Sequence, residues 1–205
     1  MNYFVTAIGT DSGKTLVSAL LVEFLKADYW KPIQAGLPRD TDTVMGLVSN
    51  TQTTFHPEQF LLQLPASPHA SARHEGLEIS LSDFQLPAAS GDLVIEGAGG
   101  ILVPINDRDY VIDLAGKFSS QIILVSNLYL GSINHTLLSI DYLQRNHLPI
   151  KGIIFNGPSN PESEQIILKK SGLTCLLKIE QEKSITKQVI SKYVDQLKQT
   201  WHDTP

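Results

Sequence analysis

The stretch Ala7–Thr15, AIGTDSGKT, lies between a short apolar run, NYFVTAI, and a segment from Gly13 to Ala27. In that segment Val17, Leu20, Leu21, Phe24 and Leu25 recur at helical spacing. Apolar strand, loop ending in Gly-Lys-Thr, amphipathic helix: this order constrains the fold more than any other feature. It is the arrangement in which an α/β chain presents the unpaired N–H groups and positive end of a helix to a phosphate. The usual phosphate loop has a glycine, four free positions and then Gly-Lys-Ser/Thr. Counting back from Gly13 puts Ile8 where that glycine is expected. Gly13 would let the backbone approach closely, Lys14 would reach the β- and γ-phosphates, and the Thr15 hydroxyl would ligate Mg²⁺. The competing reading is an ordinary strand–turn–helix capped by Thr10 or Ser12.

The rest of the chain repeats the alternation. DYWKPI, DLVIE (Asp92 to Glu96), QIILVSN (Gln121 to Asn127), PIKGIIFNG and TCLLKI read as strands. Asp42 to Val48, Ile133 to Gln144, Pro161 to Lys170 and Ile185 to Lys198 read as helices, and Thr51 to Pro87 is less regular. Continuous apolar strands separated by amphipathic helices predict an α/β fold: one doubly wound, mostly parallel sheet with helices on both faces, like a P-loop NTPase. Residues 1–205 read as a single domain, without repeats or low-complexity segments. Ligands of such sheets sit at the carboxyl ends of the strands, where every unusual polar cluster of this chain falls.

A net charge of −5 argues against a mainly electrostatic nucleic-acid binder. One cysteine, Cys175, excludes an internal disulfide framework, and its apolar surroundings predict a buried core position. The N-terminus carries no signal peptide and no apolar stretch approaches a membrane span, which predicts a cytoplasmic protein without a membrane partner.

Four further clusters carry chemistry. Lys31-Pro32-Ile33-Gln34-Ala35-Gly36 is followed by Asp40-Thr41-Asp42-Thr43. A lysine at a strand end beside a phosphate loop neutralises charge on a transferring group, or is simply solvated, and Asp40 or Asp42 could be a helix cap. Glu96 closes an apolar strand ahead of Gly97-Ala98-Gly99-Gly100, as a second metal ligand or as an exposed turn residue. Leu130-Gly131-Ser132-Ile133-Asn134-His135 opens a helix whose N–H groups suit an anion, with His135 read as structural. Asn156, before Gly157, reads a base edge or forms a turn.

Taken together, the phosphate loop, KPIQAG, TDT, PASPH, EGAGG, LGSINH and the strand-end Asn156 resemble the dethiobiotin synthetases, from Tyr3 to about Asn156. The resemblance implies an ATP- and Mg²⁺-dependent ligase that joins CO₂ to 7,8-diaminononanoate through a carbamate and a carbamic-phosphoric anhydride, working as a homodimer. It implies catalytic roles for Lys31, Lys14 and Thr10. ATP contacts would run through Asp11, Ser12, Gly13, Lys14, Thr15 and Leu16, with Asp42, Glu96, Gly97, Ala98, Gly99, Asn156 and Gly157. Thr15, Asp42 and Glu96 would hold Mg²⁺. Lys31 and Ala35 would contact the diamine, and Gly131, Ser132, Ile133 and Asn134 its carboxylate, across the dimer interface. Ala35 replaces a hydroxyl common in the family, which puts one hydrogen bond in doubt. In the family the loop is one residue longer than the standard spacing, so Ala7 becomes the entrance and Gly9 is expected to provide part of the needed backbone freedom. The other reading is a nucleotide-switch ATPase of the ParA/MinD type; residues 7–12 lack the extra lysine of that class. A small kinase is disfavoured by the scattered arginines.

Overall fold

The computed structural model describes residues 1–201. Seven strands, β1 (Asn2–Ala7), β2 (Asp28–Trp30), β4 (Phe55–His56), β6 (Leu93–Glu96), β7 (Gln121–Asn127), β8 (Ile150–Asn156) and β9 (Cys175–Ile179), form one sheet. Its order is β4-β2-β6-β1-β7-β8-β9 and every pairing is parallel. The order turns at β1, between β6 and β7, where a doubly wound sheet opens a crevice at its carboxyl edge.

Alternation along β1 feeds two cores. Tyr3, Val5 and Ala7 face the core under α1 (Lys14–Leu25) and α7 (Lys187–Thr200), while Phe4 faces the opposite one. α1 buries Val17 through Val22 without interruption, so it is a core helix rather than a surface one. α7 is amphipathic, with Ile190, Tyr193, Val194 and Leu197 buried. The second face carries α4 (Asp113–Lys117), α5 (Ser132–Arg145) and α6 (Pro161–Ser171).

DYWKPI, expected as one strand, is two. Pro32 lacks an N–H and pushes Lys31 out of a regular ladder. The chain leaves the main sheet at Lys31, and β3 (Ile33–Ala35) pairs instead with β5 (Phe60–Leu62) in a small parallel sheet. The irregular Thr51 to Pro87 region also holds α3 (Pro68–His74) and a 3₁₀ turn at Leu81–Asp83 closed by a Ser80–Asp83 capping box. α2 spans Asp40–Leu47 and so begins two residues before the expected Asp42. Cys175 is half-buried against the second core rather than enclosed by it, and burial raises its thiol pKa. No helix among the described residues is long and apolar enough to cross a membrane.

The loop between β8 and α6 is tied down by Glu164. Its Oε1 accepts from the Ser159 hydroxyl at 2.9 Å and the Asn160 N–H at 3.0 Å, and Lys178 Nζ lies 2.6 Å from Oε2. Burial pushes this carboxyl up, but Lys178, Ser159 and Asn160 outweigh it and hold the pKa below the usual value. A depressed carboxylate contributes stability above its unfolded pKa and loses it as pH falls through the folded value. Glu164→Gln is therefore expected to lower unfolding free energy at pH 7 by roughly 1–2 kcal/mol. Urea titrations of both proteins should show that gap closing below about pH 4; an unchanged gap at low pH would assign the loss to packing.

Candidate functional site

Because the strands are parallel, β1, β2 and β6 deliver their carboxyl ends to one edge. The loop after β1, Lys31 after β2 and Glu96 at the end of β6 meet there in a cleft of about 620 Å³. Thr10, Asp11, Gly13, Lys14 and Thr15 line one side, and Ala98, Gly99 and Val103 another. Ile33, Gln34 and Ala35 from β3 with Pro65–Pro68 close the third.

Glu96 is the centre. It is 1% exposed at the tip of β6. Its Oε1 accepts from the Thr15 hydroxyl at 3.0 Å and from Lys31 Nζ at 3.0 Å, and its Oε2 accepts from the Tyr29 hydroxyl at 2.9 Å. Lys31 Nζ also donates to the Gly97 carbonyl at 3.4 Å and pairs with Asp40 at 2.5 Å. Burial works against charge on Lys31, but Glu96 and Asp40 outweigh it and raise its pKa. Lys14 has the opposite setting: burial and then the nearby Lys31 cation lower it to about 8. Among the described residues its Nζ donates to a backbone acceptor, the Gly9 carbonyl at 3.3 Å. Burial and then Glu96 raise the Tyr29 phenol well above its ordinary value, so Tyr29 is a fixed donor.

α1 starts at Gly13 with no side-chain cap and no acidic residue in its first turn. Its positive end is left uncompensated beside Lys14, as an anion site requires. Gly13 has φ +97°, and a Cβ there would sit 2.2 Å from Asn156 Nδ2, so both conformation and space demand glycine. The second left-handed residue is Asp11, φ 56°, not Gly9. The loop's backbone freedom is thus placed at Asp11 and Gly13, while Ala7 stays inside β1.

The expected residues divide. Thr10, Asp11, Gly13, Lys14, Thr15, Lys31, Ala35, Glu96, Ala98 and Gly99 line the cleft. Ser12 is buried within the loop, Leu16 packs against the core under α1, and Gly97 presents its carbonyl to Lys31. Asp42 is a correction: its side chain is half-exposed and held by Arg39 at 2.6 Å and 3.0 Å. Asp40 takes the place beside Lys31, because the first turn of α2 aims it inward. The Asp40 N–H donates to Gln34 Oε1 at 3.0 Å, and Gln34 Nε2 donates to the Gly36 carbonyl, which fixes the helix start. Asn156 and Gly157 lie outside the cleft lining, with the Asn156 amide donating to the Ser12 carbonyl at 2.9 Å. Gly131–Asn134 lie apart, at the start of α5. Asp40, Gln34 and Tyr29, which the structure sets around Lys31 and Glu96, were not among the expected site residues; the one available signal was the pair of acids flanking Thr41.

A phosphate loop on a parallel sheet, with two buried lysines and a carboxylate facing its helix end, defines an ATP-utilising α/β protein. A family model described as an AAA domain matches residues 1–189. The chain is 55% identical to the ATP-dependent dethiobiotin synthetase BioD of Cytophaga hutchinsonii, over 98% of each chain. It is 44% identical to that of Christiangramia forsetii over 96% of each, and 40% identical to that of Paramagnetospirillum magneticum over 92% of each. The chain belongs to the dethiobiotin synthetase family. Its fold is shared more widely: the septum site-determining protein MinD of Pyrococcus horikoshii has a TM-score of 0.57 at 13% identity, over 96% of each chain. A plasmid partition protein of Borrelia burgdorferi has a TM-score of 0.59 at 12% identity, over 98% of this chain and 97% of its own. That likeness is one of fold alone.

Gly13→Ala is expected to abolish saturable nucleotide binding and to lower stability by about 1–3 kcal/mol. Gly46, in α2, has nothing within 4 Å of an added Cβ. Gly46→Ala should bind nucleotide normally and be neutral or slightly stabilised in the same urea and nucleotide titrations.

Proposed function

We propose that this chain is an ATP-dependent ligase that forms dethiobiotin from 7,8-diaminononanoate and CO₂. The observation that carries the reading, beside family membership, is the pair of buried lysines with opposite settings in one cleft. Lys14 and the bare end of α1 suit the polyphosphate, where negative charge would raise the depressed Lys14 pKa. Lys31, held charged between Glu96 and Asp40, suits the carbamate.

An amine of the substrate adds to CO₂ and loses a proton, giving a carbamate. A carbamate oxygen attacks the γ-phosphorus, ADP leaves, and a carbamic-phosphoric anhydride forms. The second amine attacks its carbonyl carbon, the ureido ring closes, and phosphate and a proton depart. Lys14 stabilises charge on the transferring phosphoryl group, Lys31 holds the carbamate, and Thr10 at the cleft wall contacts the reacting groups. Asp11, Gly13, Ala98 and Gly99 line the path of nucleotide and diamine, while Ala35 offers the diamine only apolar contact. Asn156 and Gly157 stand beside the loop as base contacts.

Thr15, Glu96 and Asp40 offer hard oxygen atoms in the cleft and would hold Mg²⁺, whose chemistry there would be charge neutralisation on the phosphates. Asp42 would join only by leaving Arg39.

A homodimer is supported by apolar exposure around the start of α5. Leu102, Leu130, Ile133 and Leu138 are exposed, beside a groove lined by Ile8, Gly9, Ile101 and Val103. Pairing of this face would bring Gly131–Asn134 of one chain toward the partner's cleft, where helix N–H groups can receive the substrate carboxylate. The setting we infer is cytoplasmic.

Incubation with diaminononanoate, bicarbonate and MgATP should yield dethiobiotin by mass, with ATP consumed only when both acceptors are present. ATP hydrolysis indifferent to both would contradict the reading. Lys31→Ala should abolish product formation while the folded fraction still binds nucleotide; a Lys31→Ala protein that still makes dethiobiotin at the wild-type rate would contradict the role given to Lys31.

A further inference from the structure

β7 and β8 end side by side, with Asn127 opposite Asn156 in register. Both asparagines reach the same residue of the phosphate loop. The Ser12 hydroxyl donates to Asn127 Oδ1 at 2.8 Å, and Asn156 Nδ2 donates to the Ser12 carbonyl at 2.9 Å. The Ser12 hydroxyl also lies 3.1 Å from the Gly9 carbonyl, which closes the loop on itself. Ser12 is 1% exposed, although its neighbour Asp11 is exposed to solvent.

The loop needs such a hold. Ser12 stands between two left-handed residues, Asp11 at φ 56° and Gly13 at φ +97°. A non-glycine residue in that region costs on the order of 1 kcal/mol and persists only where its surroundings over-determine it. Without a fixed point between them, these residues are free to relax and carry the first N–H groups of α1 away from a common phosphate. Asn127 and Asn156 supply that point from the hydrogen-bonded ends of β7 and β8.

We propose that Asn127, acting through the Ser12 hydroxyl, is a positioning residue that holds the phosphate loop in its nucleotide-binding form. Asn127 does not line the cleft, so its effect is on preorganisation and not on contact with the reacting atoms. The consequence is selective: nucleotide affinity depends on the link, and the diamine half of the site does not. This inference rests on the ATP-binding reading above.

The test compares Asn127→Ala, Ser12→Ala and the double variant with the wild type, in equilibrium titration with MgATP and in steady-state assays. Saturable MgATP binding by the wild type tests the functional reading; differences among the variants test the link. Each single variant should weaken MgATP binding about tenfold. The double variant should be no weaker than either single one, because the same contact is lost each time. KM for diaminononanoate should stay within about twofold, which a general loosening of the fold would not spare. Wild-type affinity in either single variant overturns the proposal, as do additive losses or an equal rise in both KM values. Should Asn127→Ala fail to fold, Ser12→Ala probes the same contact from the loop side.

Discussion

One buried carboxylate organises the site. Glu96 is surrounded by the Thr15 hydroxyl from α1 and by the Lys31 ammonium and the Tyr29 phenol from β2 and its end. A buried charge that lacks partners is costly enough to unfold or neutralise the group, so the three donors are a condition of the fold as much as of the chemistry. Because they come from α1, the end of β2 and β2 itself, satisfying Glu96 fixes the phosphate loop, Lys31 and the edge of the sheet relative to one another.

The same electrostatics separates the roles of the two lysines. Lys31 lies between Glu96 and Asp40 and stays cationic despite burial. Lys14, further from those carboxylates and repelled by Lys31, is the group with unmet demand for negative charge. A cleft holding one satisfied cation and one unsatisfied one favours a polyphosphate at Lys14, in line with the helix end beside it. Asp40 belongs to this balance, whereas Asp42 belongs to the surface pair with Arg39.

Much of this was legible in the chain. The strand–loop–helix order around Gly13-Lys14-Thr15, the apolar run closed by Glu96 and the lysine after β2 put these residues at the carboxyl edge of the sheet, and the structure brings them into one cleft, since strand ends in parallel sheets share one edge. The order of motifs pointed to the family. What was not legible depended on side-chain direction. Helical periodicity cannot say which of Asp40 and Asp42 faces inward when the helix start is uncertain by two residues. Pro32 was visible in the sequence, yet the partner that β3 would find after leaving the sheet was not, because it lies far along the chain in β5. Tyr29 read as an ordinary strand residue; only the parallel register of β2 against β6 shows that its hydroxyl meets Glu96. In the loop, the share of backbone freedom expected at Gly9 falls instead on Asp11, beside the already expected Gly13.

The most direct measurement is a double-mutant cycle of unfolding free energy on Glu96 and Lys31, using Glu96→Gln, Lys31→Met and the two together. If Glu96 is the anchor, each single change takes the ionic partner at 3.0 Å from a buried charge and costs about 3 kcal/mol or more, and the double variant loses less than the sum by at least about 1 kcal/mol. Losses that simply add would show that the two groups do not depend on each other, and would contradict the account.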